Sequence, residues 1–256
     1  MANGTNAPFG LRPYSSISGG SWTEKTNEYF IYADAAGTTT YDESIFTGDP
    51  VILNPIGVNN VLEGPTIANY TIFNGTVANE DQPILGVFMG CEYESTVVGT
   101  NNLIKSPFWP ASSQVVAGSK IKAFVLDDPD VVYEIQVSTA TNTLVDATFS
   151  PVATTAAYFF QNFAFGRAGG GANLIPNNPT TGSTRSGQSA VYLNIVGTVA
   201  TDRAAATLPL KVIGFTPDPE NVVLDPVTQA VRPFLNVRVT INNHLFRVGN
   251  LAEALI

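Results

Sequence analysis

The run Ile84-Leu85-Gly86-Val87-Phe88-Met89-Gly90-Cys91-Glu92-Tyr93 opens the block that decides the fold class. Lys120-Ile121-Lys122-Ala123-Phe124-Val125-Leu126, the turn Asp127-Asp128-Pro129-Asp130 and Val131-Val132-Tyr133-Glu134-Ile135-Gln136-Val137 close it. In the last run Val131, Tyr133, Ile135 and Val137 alternate with Val132, Glu134 and Gln136. That period of two sends successive side chains to opposite faces of a strand. The Asp- and Pro-rich turn presets backbone angles and supplies local side-chain caps, so the runs on either side of it read as antiparallel strands. The first run is apolar with interspersed glycines, as in a strand buried on both faces or closely approached by another backbone. No catalytic motif falls in this block. Its chemistry is packing and pairing, which points to a surface rather than an active site.

Strands of the same kind recur outward from it. Thr26 to Tyr32, Val51 to Leu53, Ala190 to Val196 and Lys211 to Phe215 all read as strands. From Phe234 to Val248, Leu235, Val237, Val239 and Ile241 face one way and Asn236, Arg238, Thr240 and Asn242 the other. Asn242-Asn243 suits a tight turn, with His244 to Val248 returning as the second strand of a pair. Tyr158, Phe159, Phe160, Phe163 and Phe165 form the densest aromatic cluster; helical spacing fits Phe159 to Phe163 and strand spacing fits Phe163 to Phe165. Gly166 to Ser189, with Gly169-Gly170-Gly171, reads as one long loop. Strong helical periodicity is nearly absent. The fold class is therefore all-β: a β-barrel or jelly-roll-like sandwich of short antiparallel strands with long loops and an extended N-terminal arm.

At 256 residues the chain is long enough for one large β domain or two smaller ones. Residues 1–21 form the arm and 22–256 the β domain, with 22–140 and 141–256 as the alternative division. Charged residues are only 13 % of the chain, about half the usual share. The net charge of −9 is concentrated before residue 129. An acidic chain lacks the electrostatic footprint for nucleic acid. One cysteine excludes an internal disulfide and a Cys-based zinc site. No signal-peptide pattern and no membrane-spanning run appear, so a soluble protein made in a reducing compartment is expected.

In the arm, Ala7-Pro8-Phe9-Gly10-Leu11-Arg12-Pro13-Tyr14 sets Phe, Leu and Tyr among prolines that favour extended backbone. One reading is an arm lying along a neighbouring subunit or partner. In it Ala7, Pro8, Phe9, Leu11, Arg12, Pro13 and Tyr14 are the interaction residues. The other is an edge strand tucked onto its own domain.

Candidate chemistry is thin. Asp127, Asp128 and Asp130 offer carboxylate oxygens for calcium, but without EF-hand spacing they read as turn residues. Gly166-Arg167-Ala168-Gly169-Gly170-Gly171 lacks the Lys-Ser/Thr ending of a phosphate loop. His244, the only histidine, has no partner motif and reads as a satisfied structural residue. Cys91 in its apolar run reads as a small core residue. No catalytic, cofactor-binding or metal-ligating set is expected.

An ordered series of short motifs resembles one family. These are Asn6-Ala7-Pro8-Phe9-Gly10-Leu11-Arg12-Pro13, Phe46-Thr47-Gly48-Asp49-Pro50-Val51, Ile84-Leu85-Gly86-Val87-Phe88 and Phe108-Trp109-Pro110. After them come Lys122-Ala123-Phe124-Val125 with the Asp127-Asp128-Pro129 turn, Ser183-Thr184-Arg185-Ser186-Gly187 and Ile241-Asn242-Asn243-His244. The series resembles the capsid cement or decoration proteins of tailed bacteriophages. Asn54 to Gln82 and Asn142 to Gly182 depart from the shorter members. The resemblance implies a viral structural protein made in the bacterial host cytoplasm and placed on the outer surface of the virion head. Its partners would be the major capsid protein and itself, as a homo-oligomer, most simply a trimer, with no nucleic acid, membrane or cofactor. A tail-fibre or receptor-binding protein, and the major capsid protein itself, are the competing readings; an enzyme comes last.

Overall fold

β-branched and aromatic residues in short alternating runs dictate strands, and strands are what the chain forms. The computed structural model describes residues 7–22, 25–53, 65–69, 83–96, 102–137, 160, 162–167, 182–194, 208–219, 221 and 234–247. In order, the strands are β1 (Arg12–Ser16), β2 (Asn27–Ile31), β3 (Ile45–Phe46), β4 (Pro50–Leu53), β5 (Thr66–Asn69) and β6 (Gly86–Ser95). Next come β7 (Asn102–Ser106), β8 (Phe108–Trp109), β9 (Ile121–Leu126), β10 (Val131–Gln136) and β11 (Asn162–Arg167). The series ends with β12 (Gly182–Ser183), β13 (Gln188–Ser189), β14 (Val191–Asn194), β15 (Leu210–Phe215) and β16 (Asn236–Ile241). No helix occurs among the described residues. The all-β class and its barrel-like closure stand.

Two closed rings of strands carry the fold. In the first, the order β4-β5-β2-β9-β6 closes when Pro50 and Val51 pair with Val87 and Gly86. The β2–β5 pairing is parallel, an exception to the antiparallel expectation. β7 is added to the far half of β6, at Cys91 to Ser95. A bulge between Phe88 and Gly90 twists β6, as bulges do, where its edge passes from β4 to β7. In the second ring the order is β10-β16-β15-β11-β14, and a bridge from Val137 to Leu193 closes it. β1 lies on the remaining part of the β10 edge, and the Gly10 amide donates to Val191 O at the start of β14.

The core follows the rings. Tyr29, Ile31, Val51, Ile67, Leu85, Phe88, Cys91, Trp109, Ala123 and Val125 fill the first. The second holds Leu11, Tyr133, Ile135, Phe163, Phe165, Leu193, Leu210, Val237, Val239 and Ile241. Ile52, Ile84, Val87 and Leu126 come from first-ring segments yet pack in the second core. The two rings thus share a wall.

Three sequence expectations give way. β9 and β10 are not paired with each other: β9 lies between β2 and β6, and β10 between β1 and β16. The turn Asp127 to Asp130 carries the chain from one ring to the other instead of folding it back. His244 to Arg247 does not return along β16, whose two edges are already occupied by β10 and β15. It bridges Ile84 instead, with Ile84 N donating to Asn243 O and Leu245 N to Ile84 O. Finally, the stretch read as a loop up to Ser189 contains the β12–β13 hairpin. Of the aromatic cluster, Phe163 and Phe165 are strand residues in the core and Phe160 is exposed. Tyr158 and Phe159 lie outside the described residues.

Candidate functional site

The arm is the first candidate, and the structure uses it internally. Phe9 and Leu11 are almost fully buried in their own chain. The Ala7 amide donates to Gln136 Oε1. Arg12 donates from Nε and Nη2 to Glu134 Oε2, and its guanidinium lies 4.8 Å from the centre of the Phe9 ring. Pro13 pairs with Tyr133 at the sheet edge, where a missing N–H is tolerated, and Pro8 is half-buried. Of the seven residues expected to grip a neighbour, Tyr14 keeps a large exposed ring, beside Arg238. The expectation that this segment leaves its domain is corrected. The cause lies on β10, where Glu134 and Gln136 are buried rather than solvent-facing. A carboxylate and an amide on a covered face need partners, and Arg12 and Ala7 supply them.

A second constellation was not singled out in the sequence. Asp49, in the Gly-Asp-Pro bend before β4, is fully buried. Its Oδ2 accepts from the Phe46 amide at 2.9 Å, and its Oδ1 accepts from the Ser189 hydroxyl. The Asp49 main chain donates to Phe46 O and accepts from Phe88 N. Around it, Leu11 N donates to Gly48 O, Gly48 N to Phe88 O, and Ser189 N to Thr47 O. Thr47 N donates to both Pro107 O and Gly187 O. The Phe46 and Phe108 rings stack at 5.4 Å. Gly48 has φ +94, and a Cβ there would come within 2.9 Å of Phe9 O. Only glycine meets both demands at low cost. The segments of residues 9–11, 46–49, 88, 107–108 and 187–189 therefore meet at one hydrogen-bonded joint between the rings. Ser189 was hidden in a presumed loop, and the available signal was the polar Asp49 placed directly before an apolar strand.

The remaining polar candidates are occupied structurally. Cys91 is buried and its thiol donates to Phe108 O at 3.5 Å; burial pushes its pKa up to about 12. The thiolate, the reactive form, is thereby suppressed. Asp127 accepts from Asn27 Nδ2 and from the Tyr29 hydroxyl. Burial, and then this Asp127 contact, raise the Tyr29 pKa above its ordinary value. The described residues contain no group of three His, Cys, Asp or Glu placed to hold a metal ion. His244 is fully buried; Nδ1 accepts from Phe246 N, while Nε2 has no hydrogen-bond partner among the described residues. It is only half satisfied, in contrast to the expectation. Burial first, and the Arg247 charge second, push its pKa down to about 4.

What faces outward is chemically mixed. Across β2, β9, β6 and β7 runs a row of alternating charge. Glu28 pairs with Lys122 and Glu92 with Lys105, each at 3.2 Å. Leu103 on β7 and Phe160 also expose large apolar side chains. Ile17 and Phe246 flank the turn between the rings, where Ile17 N donates to Asp130 O and Arg247 Nη2 to Pro129 O. No protein-family model, curated protein or solved structure matches the chain.

Proposed function

We propose that the protein is a capsid cement or decoration protein. It binds the outer surface of an icosahedral phage head beside the major capsid protein, as a homo-oligomer that a trimer would satisfy. One observation carries the reading. The motifs that resemble that family are far apart in sequence, yet five of them meet at the joint around Asp49, through Phe9-Gly10-Leu11, Phe46 to Asp49, Phe88, Phe108 and Gly187. A sixth, Asn243-His244, holds Ile84 nearby. Resemblance by chance has no reason to collect at one three-dimensional joint.

The function requires little chemistry and much rigidity. A cement protein adds binding free energy across joints between capsomers, at about 25 cal/mol per Å² of apolar surface covered. Repetition in a closed oligomer turns weak contacts into avidity. Two closed rings with a shared wall provide a stiff body for that role. With Phe9 and Leu11 committed internally, attachment falls to outward groups such as Tyr14, Ile17 and Phe246.

The test is co-sedimentation with heads lacking this protein. The expected result is saturable binding at a fixed ratio to the major capsid protein, with the added density outside the shell. Failure to bind bare heads, or density confined to the tail, overturns the proposal.

A further inference from the structure

Ring closure removes strand edges, the liability through which sheets pair with other chains. β4, β5, β2, β9 and β6 all have neighbours on both sides. β10 and β16 do as well. β14 is bridged by Val137 and receives the Gly10 amide. The outer side of β1 is covered by its own chain, since Ser15 pairs with Ser21 and Ser16 N donates to Gly20 O. β7 differs. Among the described residues it pairs with β6 alone, and nothing returns along its other side. Leu103, its second residue, is 56 % exposed, the highest value for a large apolar side chain in any described strand.

We propose that β7 pairs with β7 of a second copy of this chain, antiparallel, about a twofold axis at Ile104. The strand reads Asn102-Leu103-Ile104-Lys105-Ser106. With the axis at Ile104 all five residues are paired, and Leu103 lies opposite Lys105 of the second copy in both halves. The lysine stem covers the leucine while its ammonium stays in water beside Glu92, its existing partner. Moving the axis to Lys105 puts like charges directly opposite, which is unfavourable. It also puts Pro107, which has no N–H, opposite Leu103. Moving it to Leu103 leaves only three residues of the strand paired. The side-chain pattern thus selects one register and makes the edge self-complementary, as a twofold contact requires.

Five paired residues bury less than the roughly 1,200 Å² typical of a stable interface. The contact is therefore weak for free chains and strong only where copies are already held together. It does not rest on the reading as a capsid component, and it fails or stands without bare heads.

Two variants of the full chain, each with one added cysteine, test it: Leu103→Cys and Lys105→Cys. Both positions are exposed, and Cys91 is buried. Cβ atoms of directly opposed residues lie about 5 Å apart, within disulfide reach after small adjustment. Each variant is oxidised alone and as an equimolar mixture. The expected result is a disulfide-linked dimer formed several-fold faster in the mixture than in either sample alone. Equal rates in all three samples, or no dimer in the mixture, overturn the proposal. Sedimentation velocity supplies the second readout: Leu103→Glu, facing Lys105, strengthens concentration-dependent association, and Leu103→Lys weakens it. The same response to both substitutions, or the reverse order, overturns the register.

Discussion

The Ser189 hydroxyl donates to the buried carboxylate of Asp49 across 140 residues of sequence. The bond ties the end of the β12–β13 hairpin to the bend before β4, so it crosses from one ring to the other. Each donor directed at a buried carboxylate offsets part of the cost of burying it.

Asp49→Ala takes the acceptor from the Phe46 amide and from the Ser189 hydroxyl proton in a buried site. The expected loss of stability is about 2–4 kcal/mol, from two charge-assisted bonds and the groups left unpaired. Ser189→Ala, which leaves the Phe46 amide in place, costs about 1–2 kcal/mol. Urea unfolding of both single variants and the double variant gives the coupling directly. Additive losses would show that the bond contributes nothing of its own.

Gly86→Ala probes the shared wall by sterics alone, because the Gly86 φ lies outside the left-handed region. A Cβ there would collide with Leu126 O and approach Asp127 Cα at 2.9 Å. Both are backbone atoms at the point where the chain leaves the first ring, so neither moves without shifting β9. The expected loss is about 1–3 kcal/mol. A midpoint in denaturant equal to that of the parent protein would show that the wall yields.

What was legible in the sequence was local. The alternation in β10 and β16 and the apolar runs of β6 and β9 are visible because a strand needs only its own side chains to show its period. Pairing was not legible. The Asp127 to Asp130 turn looks like a hairpin, and so does Asn242-Asn243, yet neither joins paired strands. In each case the neighbouring edges are taken by segments distant in sequence. Burial of Glu134 was equally hidden, since alternation marks a face as polar but does not say that Arg12, 122 residues away, covers it. The role of Asp49 was hidden for the same reason: its partner Ser189 is remote.

His244 gives the protein an acid-sensitive point. Unfolded, it takes a proton near pH 6.5; folded, only near pH 4. Between those values the unfolded chain binds more protons, so stability falls as the pH falls. Protonation would also cost Nδ1 its role as acceptor for Phe246 N, beside the Ile84 bridge. The neighbouring charges are Arg247, which opposes protonation, and Asp127, Asp128 and Asp130, which favour it. His244→Asn keeps an acceptor and removes the titration. The histidine contribution to the stability difference between the two proteins should shrink by about 2–3 kcal/mol between pH 7 and pH 4.5. Urea unfolding at the two pH values measures it, and parallel pH profiles would exclude the mechanism.

The N-terminal segment is built into its own domain. Its prolines and aromatic residues suit an arm laid on another molecule. Yet Leu11 belongs to the second core, Phe9 is covered, and β1 fills the part of the β10 edge that β14 leaves open. Removing residues 1–14 would therefore uncover a central strand, leave Glu134 buried without Arg12, and take Leu11 out of the core. Leu11→Ala alone should lower stability by about 2–5 kcal/mol, the range for a large aliphatic side chain lost from a packed interior. Tyr14→Ala, at an exposed ring, should change it by less than about 1 kcal/mol. For a segment serving only attachment, the order is reversed: both variants fold like the parent protein and lose affinity for a partner. Thermal unfolding of the isolated protein decides between the two, because attachment cannot affect a chain with nothing to attach to. A Leu11→Ala midpoint within error of the parent value would return the segment to the role of a free arm.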